Sequence, residues 1–547
     1  MSRKQDICLA VLIASTAFTG SAGAQTLANT LEWEFDASAY GPFRQGGVTL
    51  ANVDDDPELE ILVGTSKLLG SGPSFPEVRP AALLCIDADG TLKWAQLFPA
   101  MATADPDTGT TYMTTSVTSS ASVGDIDGDG QVEVLIGVGA DSSKEGGLNI
   151  VGQPGDRGGV YAVSGDTGAI EWFFESDDII GGGSNIGDGR PDGVYATPVL
   201  ADIDEDGFLE VIFGGWDQNV YVLKGESGSV EAGFPQPVLD TIWATPALSD
   251  LNSDGQLDIL ISADISENPD ALTQTGGIFH VFNLYGEQNI PGFDEFIGNP
   301  DYETLKGKFE PHVLWSSPSA ADMDNDNLPE IIYGSGNFPD SVGSGEFIRV
   351  WNHDGSSKFL LATNGNTFAS PLFADIEGDG STEMIAATLS GILHVWNNDG
   401  SERAAIGVDS VPPGGSLQPI FTAPLAVDID ADGRLEVAVV SGAQVMFYDD
   451  DLSLITHNGT NSPDFVTDQS PMIPAIADVD QDGQLDLVAT RSFRTSTEDT
   501  FTVRRWSIGP KGNASGNYRF ARRMFMEPTA TPEPVDGIIF VDSFEAP

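Results

Sequence analysis

Gly124-Asp125-Ile126-Asp127-Gly128-Asp129-Gly130-Gln131-Val132-Glu133, running into the apolar Val134-Leu135-Ile136-Gly137, sets the terms for the whole chain. Acids stand at positions one, three, five and nine of the loop that begins at Asp125, and Gly stands at six. The pattern returns seven more times, in exact or looser form, starting at Asn52, Asp202, Asp250, Asp322, Asp375, Asp428 and Asp478. The steps between starts are 73, 77, 48, 72, 53, 53 and 50 residues. A base period near 50 with three longer steps reads as one unit with loop insertions. The candidate insertions are Met101 to Thr115, Ser176 to Gly193 and Glu267 to Phe309.

Each unit has one internal order. A short apolar strand leads into the acidic loop, as in Thr245-Pro246-Ala247-Leu248-Ser249, and a β-rich strand leaves it, as in Val211-Ile212-Phe213. A third strand such as Ile348-Arg349-Val350-Trp351 ends in an Asp-Gly turn, here Asp354-Gly355. Asp-Gly between two β-rich runs marks a hairpin. A fourth, more variable strand follows, as in Thr91-Leu92-Lys93-Trp94. No stretch carries a long helical period, so the chain reads as all-β. Four antiparallel strands per unit at this period is the arithmetic of a β-propeller blade. Eight motifs give eight blades, or seven if the divergent first unit sits outside the ring. Leu31-Glu32-Trp33-Glu34-Phe35 resembles a fourth strand and is placed to close the ring on the last blade; Tyr518-Arg519-Phe520-Ala521 competes for that place.

The acidic loop has the makings of a metal cage. Alternate residues of a tight loop can turn their oxygens toward one centre. A hard cation such as calcium takes six to eight oxygens at about 2.3–2.6 Å and tolerates irregular geometry. Positions one, three and five offer carboxylates, position seven a backbone carbonyl, and position nine closes the cage from the next strand. Gly at position six supplies the left-handed turn. Four carboxylates this close repel one another unless a cation lies among them. The chain has 83 acidic against 24 basic residues, a net charge of −59. That balance argues against nucleic acid and against an anionic membrane surface as partners.

The loop is similar to the calcium loop of EF-hands but shorter, and strands flank it in place of helices. It resembles the loop of FG-GAP or VCBS repeats, found in integrin α-chain propellers and many secreted bacterial proteins. The resemblance covers nearly all of the chain after its leader, apart from the insertions and the tail. It implies a propeller whose loops join the first two strands of each blade and bind calcium. Residue by residue it implies ligands at Asp125, Asp127, Asp129 and Glu133, and at Asp202, Asp204, Asp206 and Glu210. It implies the same at Asp428, Asp430, Asp432 and Glu436, and at Asp478, Asp480, Asp482 and Asp486. Asp250, Asn252, Asp254 and Asp258 keep oxygen ligands throughout, and Asp375, Glu377, Asp379 and Glu383 carry a longer side chain at position three. Asp322, Asp324, Asp326 and Glu330 have Asn327 in place of Gly, and Asn tolerates the left-handed turn. The loop Asn52, Asp54, Asp56 and Glu60 departs from the pattern with Pro57, which cannot take positive φ.

The ends read differently. Arg3 and Lys4, the apolar Cys8 to Phe18 and the small residues Ala22-Gly23-Ala24 read as a secretory signal over residues 1–24. The expected propeller spans 25–526, and a Pro-rich linker and short tag fill 527–547. This predicts a bacterial protein, secreted or periplasmic, without a membrane span. Cys85 is then the single cysteine, which makes no internal disulfide, so bound ions are the natural staple. Eight basic residues, Arg491, Arg494, Arg504, Arg505, Lys511, Arg519, Arg522 and Arg523, cluster at the last blade. The reading is that they seat the chain's ends against acidic neighbours.

A second recurrent feature lies at the opposite end of the first strand. Tyr195, Trp243, Trp315, Phe368 and Phe421 each precede small residues and a Pro. They are candidates for a ring at the channel mouth that stacks on a sugar or a partner side chain; packing between blades is the alternative. The five histidines are scattered through different units, and neither a metalloprotease helix motif nor a nucleophile elbow occurs. The sequence therefore predicts a non-catalytic binding or adhesion scaffold for a glycan or protein partner. The rival is a calcium-dependent polysaccharide lyase, because some lyases use propellers with similar loops.

Overall fold

The structure, a computed structural model, describes residues 26–509 apart from 28, 45, 55, 69–78, 100–113, 140–156, 178–190, 266–275, 298–305, 337–344, 409–416, 418, 431, 442–443, 458–471 and 495–498. The segments expected as signal, linker and tag, Tyr518–Ala521 and most of the first two candidate insertions lie outside the described residues; the third, Glu267 to Phe309, holds the strand Gly276–Phe282 of blade four and is not an insertion. Every regular element among them is a β-strand. They form eight antiparallel blades, each entered by a short inner strand and left by an edge strand.

Blade one contains Thr49–Ala51, Glu60–Gly64, Leu83–Ile86 and Leu92–Gln96. The divergent first unit is thus inside the ring. The fourth, fifth and sixth blades repeat the same meander, for example Ser319–Ala321, Glu330–Gly334, Phe347–Asn352 and Ser357–Ala362. In blade two the inner strand is split into Ser116–Val117 and Ser122–Gly124, both paired with Glu133–Gly139. Blade seven keeps three full strands, Leu425–Val427, Glu436–Ser441 and Gln444–Tyr448. Its fourth is reduced to a bridge between Tyr448 and Leu454.

The N-terminal strand Asn29–Asp36 is the outermost strand of blade eight, paired antiparallel with Asp499–Ile508. The strand Asn29–Asp36 therefore completes the last blade, as the reading of Leu31–Phe35 anticipates, while the shorter Thr26–Leu27 before it pairs with Thr456–His457. Arg504 bonds Glu34 across this seam, and Arg505 Nη1 donates to the Ala88 carbonyl of blade one at 2.7 Å. Trp33 Nε1 donates to the same carbonyl at 2.8 Å. These two arginines of the basic cluster do hold the chain's ends; Lys511, Arg519, Arg522 and Arg523 lie outside the described residues.

Each interface between blades is a separate apolar layer, such as Ile126, Leu135, Val160, Phe213 and Tyr221 between blades two and three. The second strands are buried on both faces, which is why they read as unbroken apolar runs. A tryptophan latch recurs outside these layers. Trp94 Nε1 donates to the Gly165 carbonyl and Trp172 Nε1 to the Gly225 carbonyl, each at 2.7 Å in the next blade. The indole lies flat on a turn glycine, so a Cβ on Gly168 would stand 2.6 Å from Trp94. Gly168 also has φ +67°, and both demands leave only Gly there.

Near the axis the blades are tied by polar bonds. Thr197 N–H donates to Thr245 Oγ1 at 3.0 Å, Thr245 N–H to Ser317 Oγ at 2.9 Å, and Ser317 N–H to Ser370 Oγ at 3.1 Å. All four residues precede a proline and are buried. Blade seven has Ala423 at the corresponding position, which offers no hydroxyl.

Candidate metal centres

The acidic loops join the first and second strands and gather on one face. Neighbouring loops touch: Asn325 Nδ2 of blade five donates to the Gly380 carbonyl of blade six at 3.1 Å. Within each loop the side chains fold the backbone around themselves. The position-nine carboxylate accepts the N–H of position two in all eight loops at 2.6–3.1 Å. The position-one carboxylate accepts the N–H of position six in seven loops at 2.8–3.0 Å. The position-five carboxylate accepts the N–H of position seven in all eight at 2.8–3.0 Å. Pro57 has no N–H to give, and in that loop Asn52 Nδ2 bonds the Asp56 carbonyl instead.

Position six is left-handed as the spacing requires: Gly130 has φ +88°, and Asn327 adopts φ +68°. Position four, which sequence reasoning passed over, is left-handed too. It carries Gly128 and Gly378, but also Glu205, Ser253, Asn325 and Gln481 at φ +55° to +62°. A non-glycine residue there costs about 1–2 kcal/mol. Gly at 128 and 378 and Asn at 325 were the available signal.

The geometry brings together oxygens of Asp125, Asp127 and Glu133, of Asp202, Asp204 and Asp206, of Asp322, Asp324 and Asp326, and of Asp428, Asp430 and Glu436. In each trio the oxygens lie within 4.8 Å of one another. In blade one the trio is Asp54, Glu60 and Asp87, and Asp87 comes from the turn after the third strand. The position-nine group is buried in every blade. Burial, with the neighbouring aspartates adding, pushes Glu60, Glu133, Glu210, Asp258 and Glu383 up to about 7. Burial also lifts Asp486 to about 7. Glu436 rises to about 9 through burial and the charges of Asp430, Asp428 and Asp432.

Calcium fits this donor set. The ligands offered are all oxygen, the hard type it prefers. Glu436 Oε1 is fully buried with no hydrogen-bond partner, a costly state that a cation beside it would relieve. Calcium would supply positive charge among these acids. At position nine the chain ties one carboxylate oxygen to the backbone, as Glu133 and Glu436 show, whereas at position one both oxygens accept backbone amides, as in Asp125 and Asp428.

The opposite rim is aromatic. Tyr195 stacks on Trp216 with ring centres 4.2 Å apart, Trp216 lies 4.4 Å from Trp243, Trp243 5.6 Å from Trp315, and Trp315 4.7 Å from Phe368. All five are buried. Trp216, missed in the sequence because it follows the second strand rather than preceding the first, completes the arc. Trp315 Nε1 bonds the buried Asp264. Phe421, the counterpart in blade seven, is half-buried.

His280, His353 and His394 lie in three different blades. His280 is buried against Gln288 and the Lys306 carbonyl, each at 3.0 Å, and burial pushes it down to about 4. His394 Nδ1 lies 2.9 Å from Glu402, and His353 Nδ1 lies 3.1 Å from the Leu251 carbonyl. No helix among the described residues is long and apolar enough to cross a membrane.

Comparison with known proteins adds the following. A search of curated proteins found no match. Among solved structures, the chain is similar to BamB from Moraxella catarrhalis at 10% identity and a TM-score of 0.43, covering 88% of this chain and 98% of that one. It is similar to the V. cholerae biofilm matrix protein Bap1 at 11% identity and TM-score 0.37, covering 88% and 91%. It is also similar to the exotype rhamnogalacturonan lyase YesX at 14% identity and TM-score 0.42, covering 85% and 91%. Residues 202–261 match the FG-GAP-like repeat family, and that segment runs from the acidic loop of blade three through the acidic loop of blade four into the strand Asp258–Ile265. The chain is an eight-bladed β-propeller, and its residues 202–261 match the FG-GAP-like repeat.

Proposed function

We propose that the protein is a secreted or periplasmic propeller whose acidic loops bind calcium and whose rigid ring acts as a non-catalytic scaffold for a glycan or protein partner. The carrying observation is the set of eight equivalent loops on one face, each with a buried position-nine acid tied to the position-two amide. Buried acids at this density call for cations, and a chain that keeps them in every repeat depends on those cations for rigidity. A rigid ring that presents loops at both rims suits recognition, because binding groups are most precise on elements that do not move.

The test has two parts. Thermal unfolding is followed with calcium and after EDTA treatment; calcium is expected to raise the midpoint, and an unchanged midpoint overturns the calcium reading. A glycan array is then probed with and without chelator, alongside acidic polysaccharides monitored for absorbance of an unsaturated product. Calcium-dependent retention without product supports the scaffold. A steady, calcium-dependent rise in absorbance replaces it with the lyase.

A further inference from the structure

We propose that the chain supplies its own cation to half of its loops, so that calcium binds in blades two, three, four and seven while Lys93, Lys358, Arg403 and Arg505 take the metal's place in blades one, five, six and eight. This rests on the calcium reading above.

A β-bulge makes the arrangement. Where the fourth strand leaves its turn, one extra residue is squeezed out of register with the third strand. In blade one the register jumps from Ile86–Leu92 to Cys85–Trp94, leaving Lys93 as the odd residue. The same jump isolates Lys358 in blade five and Arg403 in blade six. A bulge re-aims the side chain it displaces, and here it is aimed at the acidic loop of its own blade.

Lys358 Nζ sits 2.6 Å from Asp324 Oδ2 and 2.9 Å from Glu330 Oε1, between the acids of positions three and nine. Lys93 bonds Asp54, again position three. Arg403 Nη2 is 3.0 Å from Glu377, the position-three acid of blade six. In blade eight the bulge residue is Glu32, and the cation comes from the next strand. Arg505 bonds Asp480 and places Nε 3.1 Å from Asp486 Oδ1, once more positions three and nine. A calcium ion needs those oxygens at about 2.3–2.6 Å. A lysine nitrogen already within 3 Å of two of them stands in its place, and two cations that close repel.

The other four blades carry no cation at the bulge position itself, although in blade three its counterpart Glu231 pairs with Lys224 at 3.0 Å. Blade two's bulge residue is Glu171, which adds an acid beside Asp127 and Asp129. Counting from the turn, its counterparts are Glu231, Asn289 and Ile455. Blade seven gives the independent sign. Ile455 is apolar, and Glu436 Oε1, fully buried in the trio with Asp428 and Asp430, has no hydrogen-bond partner.

The experiment counts ions. Full-length protein is stripped with EDTA, desalted, saturated with calcium chloride and analysed by elemental analysis and calorimetric titration. The expected stoichiometry is about four calcium ions per chain, as oxygen cages without a competing cation require. Lys358→Met should gain one ion and Ile455→Lys should lose one, while Lys358→Arg leaves the number unchanged. Circular dichroism checks that each variant is folded, and the two charge changes act in opposite directions, so misfolding of one does not remove the other. Seven or eight ions on the wild type, or an unchanged count in a folded Ile455→Lys, overturns the proposal and leaves the calcium reading standing. A wild-type chain that binds none overturns both.

Discussion

At the scale of single residues, the same carboxyl does opposite things with and without a cation. Glu436 Oε2 accepts the Ile429 N–H at 2.6 Å, while Oε1 is buried without a partner. Glu436→Gln keeps an oxygen for the amide and removes the charge. In EDTA near pH 9 the variant should be more stable than wild type, because a buried charge next to Asp428 and Asp430 is gone. In excess calcium it should be less stable, because a ligand is gone. Each difference is expected at about 1–3 kcal/mol, read from urea unfolding in the two buffers. A variant that shifts the same way in both buffers would show that Glu436 senses no metal. Ser317→Ala tests the axial ties. It leaves the buried Thr245 N–H without its acceptor, a loss of about 1–3 kcal/mol. Ser317→Thr, which retains a hydroxyl, should recover most of it.

Among elements, the strand that closes the ring has the most to lose. Asn29–Asp36 shields the long outer edge of Asp499–Ile508, and an uncovered edge of that length is a template for pairing. A chain lacking residues 1–36 should unfold at lower temperature and form concentration-dependent oligomers by light scattering. A peptide of residues 29–37 added in trans should reverse both. If the truncated chain stayed monomeric with an unchanged midpoint, the seam would be ornamental. This strand was legible in the sequence because Trp33 repeats the spacing of Trp94 and Trp172. The loops were legible for a similar reason, since eight copies of one spacing rule out a chance turn. The bulge cations were not. Lys93 and Lys358 look like ordinary surface lysines on an alternating strand, and only the out-of-register residue turns them inward. Trp216 escaped because its place in the arc is set by the ring: it stacks on Tyr195 of its own blade and meets Trp243 of the next. The curtailed fourth strand of blade seven was equally hidden. Its turn puts Leu452 at φ +64° where others have Gly, a conformation sequence spacing alone does not reveal.

For the whole molecule, the loops couple stability to pH and calcium together. Position-nine acids titrate near 4 in an unfolded chain. In the folded chain without metal, Glu60, Glu133, Glu210, Asp258, Glu383 and Asp486 are pushed up to about 7, and Glu436 to about 9. Between those limits the native state holds more protons than the unfolded state, so stability falls as pH rises. The metal-free chain should therefore be most stable near pH 4–5 and lose stability steadily to about pH 7, with Glu436 extending the decline toward 9. Calcium competes with those protons in the loops that bind it, at Glu133, Glu210, Asp258 and Glu436, because it binds the ionised acids. Its stabilising effect should be slight near pH 5 and grow through pH 7 and beyond, so that melting curves with and without calcium diverge as pH rises. Differential scanning calorimetry from pH 5 to 9 in EDTA and in calcium measures that divergence directly. Parallel curves across the range would mean that protons and calcium do not share these acids, and the cages would then have to be neutralised wholly from within.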